Sequence, residues 1–329
     1  MNKYLKNKRI KILVVSTIVL LLAFSLIGYS CAVIIKRSKL EREIFIEEQR
    51  LKEEKIKEEE KIEEEKAKEE NLLRVRGTEE ALEIDISIGE RIELYLDEDL
   101  KNFGFIYYDL TTGEKIEFNG EKIFIAASTY KVALNMLIYD DVMNGRLEID
   151  KGVMYNHGMD FEEGGGSLQF EIDTTLTKPV LLQKLLDLSI IESDNIASNM
   201  LIRTLGGFRV VRERIDAIAG LTVDTTENKT TAEIQFRILK KLYEDREKVY
   251  YDNLLNRMKE TIFHNSLDKY VPYEIVAHKM GNYELAVNDI GIVFTDKPYI
   301  IVVYSEDIYE SEEKIAKISE MIYKEQLKK

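Results

Sequence analysis

Cysteine occurs once in this chain, as Cys31. No disulfide can form within the chain, and because Cys31 sits inside an uncharged apolar stretch, a cysteine nucleophile or cysteine-based metal site is excluded. Histidine is nearly as scarce. His157, His264 and His278 stand far apart in the sequence, and none falls in an H-x-x-x-H or H-E-x-x-H spacing. No metal site and no cofactor is read from them. His278 adjoins Lys279, and its plain reading is a packed or solvated strand histidine. Phosphate-binding glycines are missing too: Gly164-Gly165-Gly166 is not followed by Lys-Ser or Lys-Thr. Positive charge is in deficit. A formal net charge of −14 argues against a nucleic-acid partner.

What the chain does have begins with a tripartite N-terminus. Lys3, Lys6, Lys8, Arg9 and Lys11 make residues 1–11 a basic tail. Residues 12–35 carry no charged side chain, and as a helix would reach about 36 Å, enough for a bilayer core. The heavier basic flank is N-terminal. The expectation is therefore a single-pass anchor in membrane lipid, with a cytoplasmic tail and an extracytoplasmic domain. A cleaved signal peptide competes, but the run is longer than such a peptide needs. Residues 36–77 form a charged segment that from Lys39 to Glu70 is Glu and Lys almost without interruption, with favourable pairs such as Glu53 before Lys57. Leu40, Leu51, Ile62 and Leu73 recur in one row and Phe45, Ile56 and Ala67 in another, too far apart for one wide apolar face. A solvated helical stalk of roughly 50 Å is expected. Self-association of two chains through it as a coiled coil is the second reading.

Residues 78–329 read as a globular domain. Helical spacing covers Ile84 to Leu100. Phe103 to Leu110 and Lys115 to Phe118 flank a turn at Thr111-Thr112-Gly113-Glu114, a strand–turn–strand pattern. Helical patterns follow at Val180 to Ser189 and Thr231 to Tyr243. Strand patterns occupy Ile275 to Gly281, Asp289 to Thr295 and Tyr299 to Ser305, and a helix after Ser311 closes the chain. Strands and helices at both ends of a helical block predict an α+β fold, an antiparallel sheet covered by helices.

The chemistry concentrates at Ser128-Thr129-Tyr130-Lys131, where an apolar run meets the start of a helical pattern. Residues three apart on a helix point the same way, so Ser128 and Lys131 meet. A serine hydroxyl needs a base, and a lysine among apolar neighbours loses part of its preference for charge and can serve as one. The helix start adds N–H groups that favour developing negative charge. The same spacing recurs at Ser266…Lys269 and Ser311…Lys314; these read as structural, Ser311 as a helix cap.

Ser128-x-x-Lys131, Ser193-Asp194-Asn195 and Lys279-Met280-Gly281 stand in the order S-x-x-K, S-D-N, K-T-G. From about Glu80 to Glu325 the chain thereby resembles the class A β-lactamases and penicillin-binding proteins. The resemblance implies a sheet flanked by helices with a helical subdomain. It implies that Ser128 is acylated, that Lys131 is its base or proton relay, and that Ser193 passes a proton to the leaving nitrogen. Lys279 would supply positive charge across the cleft, Asn195 would hold the substrate's amide, and the N–H groups of Ser128 and Asn282, just after Gly281, would form the oxyanion hole. The implied partners are a β-lactam or a peptidoglycan stem peptide.

Two departures from the family pattern bear on activity. The family's water-activating glutamate precedes an asparagine by four residues on a long loop; here Gly220 to Thr231 is short and has no E-x-x-x-N. Asp224 and Glu227 are the candidate deacylation bases. Met280 replaces a threonine whose hydroxyl would bind the substrate carboxylate, a loss of about 1.5–3 kcal/mol if nothing compensates. The leading expectation is thus a membrane-anchored D-alanyl peptidase of peptidoglycan. A β-lactamase that hydrolyses β-lactam antibiotics is the alternative, and a cell-wall-binding or signalling module without turnover is the third.

Overall fold

The computed structural model describes residues 2–223 and 227–329; in the first helix, side chains are described at 14–26, 28, 29, 36, 37, 39, 47 and from 49 onward. The chain divides into two units, Met1–Arg74 and Val75–Lys329.

Glu and Lys are good helix formers, and α1 runs without a break over Asn2–Val75. Every side chain described between Val14 and Asn71 is exposed. This corrects three expectations. No helix among the described residues is long and apolar enough to cross a membrane. The single-pass anchor at residues 12–35, its lipid contact and the extracytoplasmic placement built on it are therefore not supported. The remaining side chains of that stretch, Cys31 among them, lie outside the described residues. A separate stalk over residues 36–77 is not found either, because one helix crosses residue 35 without a boundary and ends at Val75. The exposed Leu51, Ile62 and Leu73 fall in one row at eleven-residue intervals and Ile56 lies about 140° away, so the apolar residue every three or four positions that a coiled-coil seam requires is absent among the described residues.

The second unit begins with α2 (Ile88–Leu96), started by a capping box in which Ser87 and Glu90 satisfy each other's backbone N–H groups. It continues through β1 (Phe103–Asp109), β2 (Lys115–Phe118), β3 (Phe124–Ile125), α3 (Lys131–Met143), β4 (Gly152–Val153) and the single-turn α4 (His157–Asp160). Then come β5 (Val180–Leu181), α5 (Leu182–Ile191), α6 (Asn195–Thr204), α7 (Phe208–Ala219), β6 (Lys229–Thr230), α8 (Ala232–Glu244) and α9 (Val249–Lys259). The chain closes with β7 (Val276–Tyr283), β8 (Ala286–Val293), β9 (Tyr299–Glu306) and α10 (Ser311–Gln326).

The main sheet has the order β2-β1-β9-β8-β7, and all of its pairs are antiparallel. Both faces are covered, so its strands are apolar on both sides. Along β9, Ile300, Val302 and Tyr304 enter a core shared with α3, α5, α6 and α8. Tyr299, Ile301 and Val303 enter a second core shared with α2 and α10. This is the two-residue period of a strand read out on two layers. The fold is α+β, an antiparallel sheet with flanking helices. Helix α3 is buried on all sides, Lys131 and Asn135 included, as expected of a helix apolar all round. Asn135 ties it to α5 by donating to Ser189 Oγ at 2.8 Å.

Candidate active site

Ser128 stands on a short 3-10 turn, Ala127–Tyr130, between β3 and α3. Ala127 holds φ at +46°, a conformation costly for a side chain. Its neighbours keep it there. Ala126 N donates to Asn228 O at 2.8 Å, and Asn228 Nδ2 donates to Ala127 O at 3.0 Å. The segment after the short loop therefore grips the serine turn with an asparagine. β7 closes in from the other side. A Cβ added to Gly281 would lie 2.9 Å from Ser128 N and 3.0 Å from Thr129 N, so only glycine lets the strand approach this closely.

Asp194 caps α6, its Oδ1 accepting from Ala197 N at 2.7 Å, and this fixes the backbone on which Ser193 (φ +56°) and Asn195 sit. Asp194 Oδ2 also accepts from Leu168 N at 2.9 Å. Asn195 N donates to Gly165 O at 3.1 Å, so the glycine-rich loop lies directly against the triplet.

Three separate segments thus bring their polar groups together. Lys131 Nζ donates to Ser193 O at 2.7 Å, to Asn195 Oδ1 at 2.8 Å and to Ser193 Oγ at 3.3 Å. Lys279 Nζ donates to Ser193 Oγ at 2.9 Å and to Met280 O at 2.8 Å. One hydroxyl stands between two buried amines. Burial lowers Lys131 to about 7, against the pull of the Glu162 and Asp194 carboxylates. Burial, together with the Lys131 charge, also takes Lys279 well below its ordinary value, opposed by Asp289. A cavity of about 190 Å³ opens onto this group, lined by Ser128, Ser193, Asn195, Met280, Asn282 and Phe263 among others. Asn282 Nδ2 donates to Glu312 Oε1 at 3.1 Å.

The two sequence candidates for a water-activating base fare differently. Asp224 lies outside the described residues. Glu227 borders a larger cavity of about 820 Å³ that also reaches Ser128, but its carboxylate is ion-paired with Lys229. The same cavity contains a carboxylate that sequence reasoning missed. Glu162 follows α4, whose buried Asp160 is gripped by Arg203 of α6 through Nε and Nη2, both at 2.8 Å. Glu162 Oε2 accepts from Asn199 Nδ2 at 2.9 Å. Asn199 lies one helical turn beyond Asn195, and that i,i+4 relation to the triplet is the only sequence signal that could have pointed here. Phe263 was also missed, since it belongs to an irregular segment far from any motif. So was a meeting of histidines: His264 and His278, far apart in sequence, converge on Asp268.

A family model described as the β-lactamase enzyme family matches residues 88–326. Among solved structures, a mutant of PBP-A, determined as an acyl-enzyme complex with penicillin G, is 21% identical at a TM-score of 0.66, covering 74% of this chain and 97% of that one. The extended-spectrum β-lactamase TLA-1 is 24% identical at a TM-score of 0.67, covering 73% and 98%. A β-lactamase from Sphaerobacter thermophilus is 22% identical at a TM-score of 0.64, covering 75% and 99%. The expectation of a membrane-anchored D-alanyl peptidase is corrected on these findings. The anchor is absent among the described residues, and the family match favours the β-lactamase alternative.

Proposed function

This chain belongs to the β-lactamase enzyme family, and on that premise we propose that it is a serine hydrolase that opens β-lactams through an acyl-enzyme at Ser128. Neutral Lys131 takes the Ser128 Oγ proton as the oxygen attacks the lactam carbonyl. The N–H groups of Ser128 and Asn282 receive the developing oxyanion, a contribution of about 3–4 kcal/mol per donor. Ser193 Oγ then gives its proton to the lactam nitrogen as the C–N bond breaks, and is reprotonated from the lysine amine beside it. Lys279 faces the substrate carboxylate, whose negative charge would hold the buried amine protonated, and it acts there without a partner hydroxyl, since Met280 offers none. Asn195 gives its Oδ1 to Lys131 and keeps its Nδ2 for the substrate's side-chain carbonyl.

Deacylation requires a second base, and Glu162 takes that part. Its Oε2 is held by Asn199, in the cavity that reaches Ser128. It accepts a proton from water as the water attacks the ester; the acyl C–O bond breaks and Ser128 recovers its proton. The observation that carries the reading is Ser193 Oγ at 3.3 Å and 2.9 Å from two buried amines, beside Ser128.

The test follows the full-length chain with a penicillin by intact mass and drug consumption. Wild type should form an adduct and consume drug, and Ser128→Ala should do neither. Glu162→Gln should acylate normally and accumulate adduct, its turnover falling by about 10²–10⁴, while Glu227→Gln turns over as wild type. No adduct and no drug loss in wild type would end the proposal. Unchanged turnover in Glu162→Gln would remove Glu162 from it.

A further inference from the structure

The segment between α9 and β7 carries Ser266, Asp268 and His264, and it packs against the start of β7 at His278. His278 is fully buried, and Asp268 and Ser266 nearly or wholly so. Three polar atoms in this place have no hydrogen-bond partner among the described residues: His278 Nε2, Asp268 Oδ1 and Ser266 Oγ. His278 Nε2 lies 3.2 Å from Asp268 Oδ2, near enough for charge attraction yet without a hydrogen bond. Leaving such groups unpaired is costly, and a fold rarely does so without a use for them.

The other ring nitrogen of His278 is fully engaged. Nδ1 lies 3.0 Å from both oxygens of Asp289, a carboxylate buried in β8 and itself held by Leu267 N at 3.1 Å. A carboxylate on one imidazole nitrogen fixes the orientation of the ring, so that the other nitrogen presents a lone pair in a set direction once a metal displaces its proton. This is the arrangement that orients a metal-bound histidine. His264 reaches the same point from the surface, its Nδ1 lying 2.5 Å from Asp268 Oδ2. The three ligand atoms lie within 4.8 Å of one another.

From this geometry we infer that His264, Asp268 and His278 form a binding site for a divalent zinc-class cation, with Asp289 orienting His278. Two imidazoles and one carboxylate suit zinc better than calcium or magnesium, which take oxygen ligands. Ligands at about 2.0–2.1 Å in a tetrahedral array stand roughly 3.3 Å apart. The His278–Asp268 separation of 3.2 Å already matches that spacing. His264 must withdraw by about 1 Å from Asp268 to reach the same spacing. Its side chain is 46% exposed, which gives it that freedom and gives the ion a way in. Two buried carboxylates, Asp268 and Asp289, supply the charge a divalent ion would neutralise.

The site has a place in the molecule's work. Phe263, beside His264, lines the small cavity at Ser128, and Lys279 follows His278. An ion here would pin two walls of the cleft to each other. The inference does not depend on the acyl-enzyme chemistry, since it concerns residues behind that cleft.

The experiment uses full-length chain prepared without a histidine tag and stripped with a chelator, then titrated with zinc chloride by calorimetry. Elemental analysis and thermal melting accompany it. One equivalent of zinc should bind and raise the melting temperature. His264→Ala, at the exposed ligand, should keep the fold and lose at least tenfold in affinity. Asp289→Asn, which leaves the ligands in place, should lose about 10–100-fold. His157→Ala, a histidine outside the cluster, should bind as wild type. No uptake of one equivalent by wild type would overturn the inference, leaving His278 as a protonated bridge between two carboxylates. Equal affinity in His264→Ala and wild type would overturn it as well.

Discussion

In the mechanism proposed above, Lys131 is the residue whose protonation governs the first chemical step. Burial lowers it from the ordinary lysine range to about 7, so below that pH it is charged and cannot accept the serine proton. Acylation by a penicillin should therefore rise about tenfold per pH unit up to pH 7 and level off above it, as a stopped-flow pH profile would record. A rate independent of pH between 5 and 8 would show that another group takes the proton. The stability consequence has the same sign. The folded pKa lies below the unfolded one, so the unfolded chain binds more protons between pH 7 and about 10.5, and stability grows with pH across that window.

At the scale of elements, the site depends on how closely β7 approaches the turn before α3. Gly281→Ala would place a Cβ against the backbone of Ser128 and Thr129, with Ala126 O at 3.1 Å as the third wall. Strand or turn must move. Acylation should fall by about 10²-fold, with a loss of roughly 1–3 kcal/mol in stability from overpacking. A mass time course and chemical denaturation would measure the two, and a variant that acylates at the wild-type rate would contradict the close approach. This contact also marks how far the sequence could be read. Ser128, Lys131, Ser193, Asn195, Lys279 and Gly281 stood in recognisable order, and strand periodicity placed β1, β7, β8 and β9 close to where they lie. α7 escaped notice because its apolar residues are interleaved with many charges, whereas α9 went unread although Tyr251, Leu254, Leu255 and Met258 stand at helical spacing. Glu162, Phe263 and the histidine cluster were illegible for a different reason. Each acts through a neighbour remote in sequence: Asn199 for Glu162, β7 for His264. The anchor was read from the absence of charge at residues 12–35 alone, and no helix among the described residues is long and apolar enough to cross a membrane.

The whole molecule consists of two units that differ in kind, one a helix exposed on its described faces and one with two apolar cores. A chain beginning at Val75, which is itself buried in the second unit, should keep its melting temperature within a few degrees of full length and acylate at the same rate. A large loss of either would mean that residues 1–74 contribute to the catalytic unit. Within that unit, β9 gives successive side chains to opposite cores, and so do β1 and β8 beside it. The two hydrophobic layers therefore have no seam along which they could part. Melting one would strip alternate residues from the strands that hold the other, so the unit has no stable half: it is committed to unfold as one body, and damage on either face is felt on both.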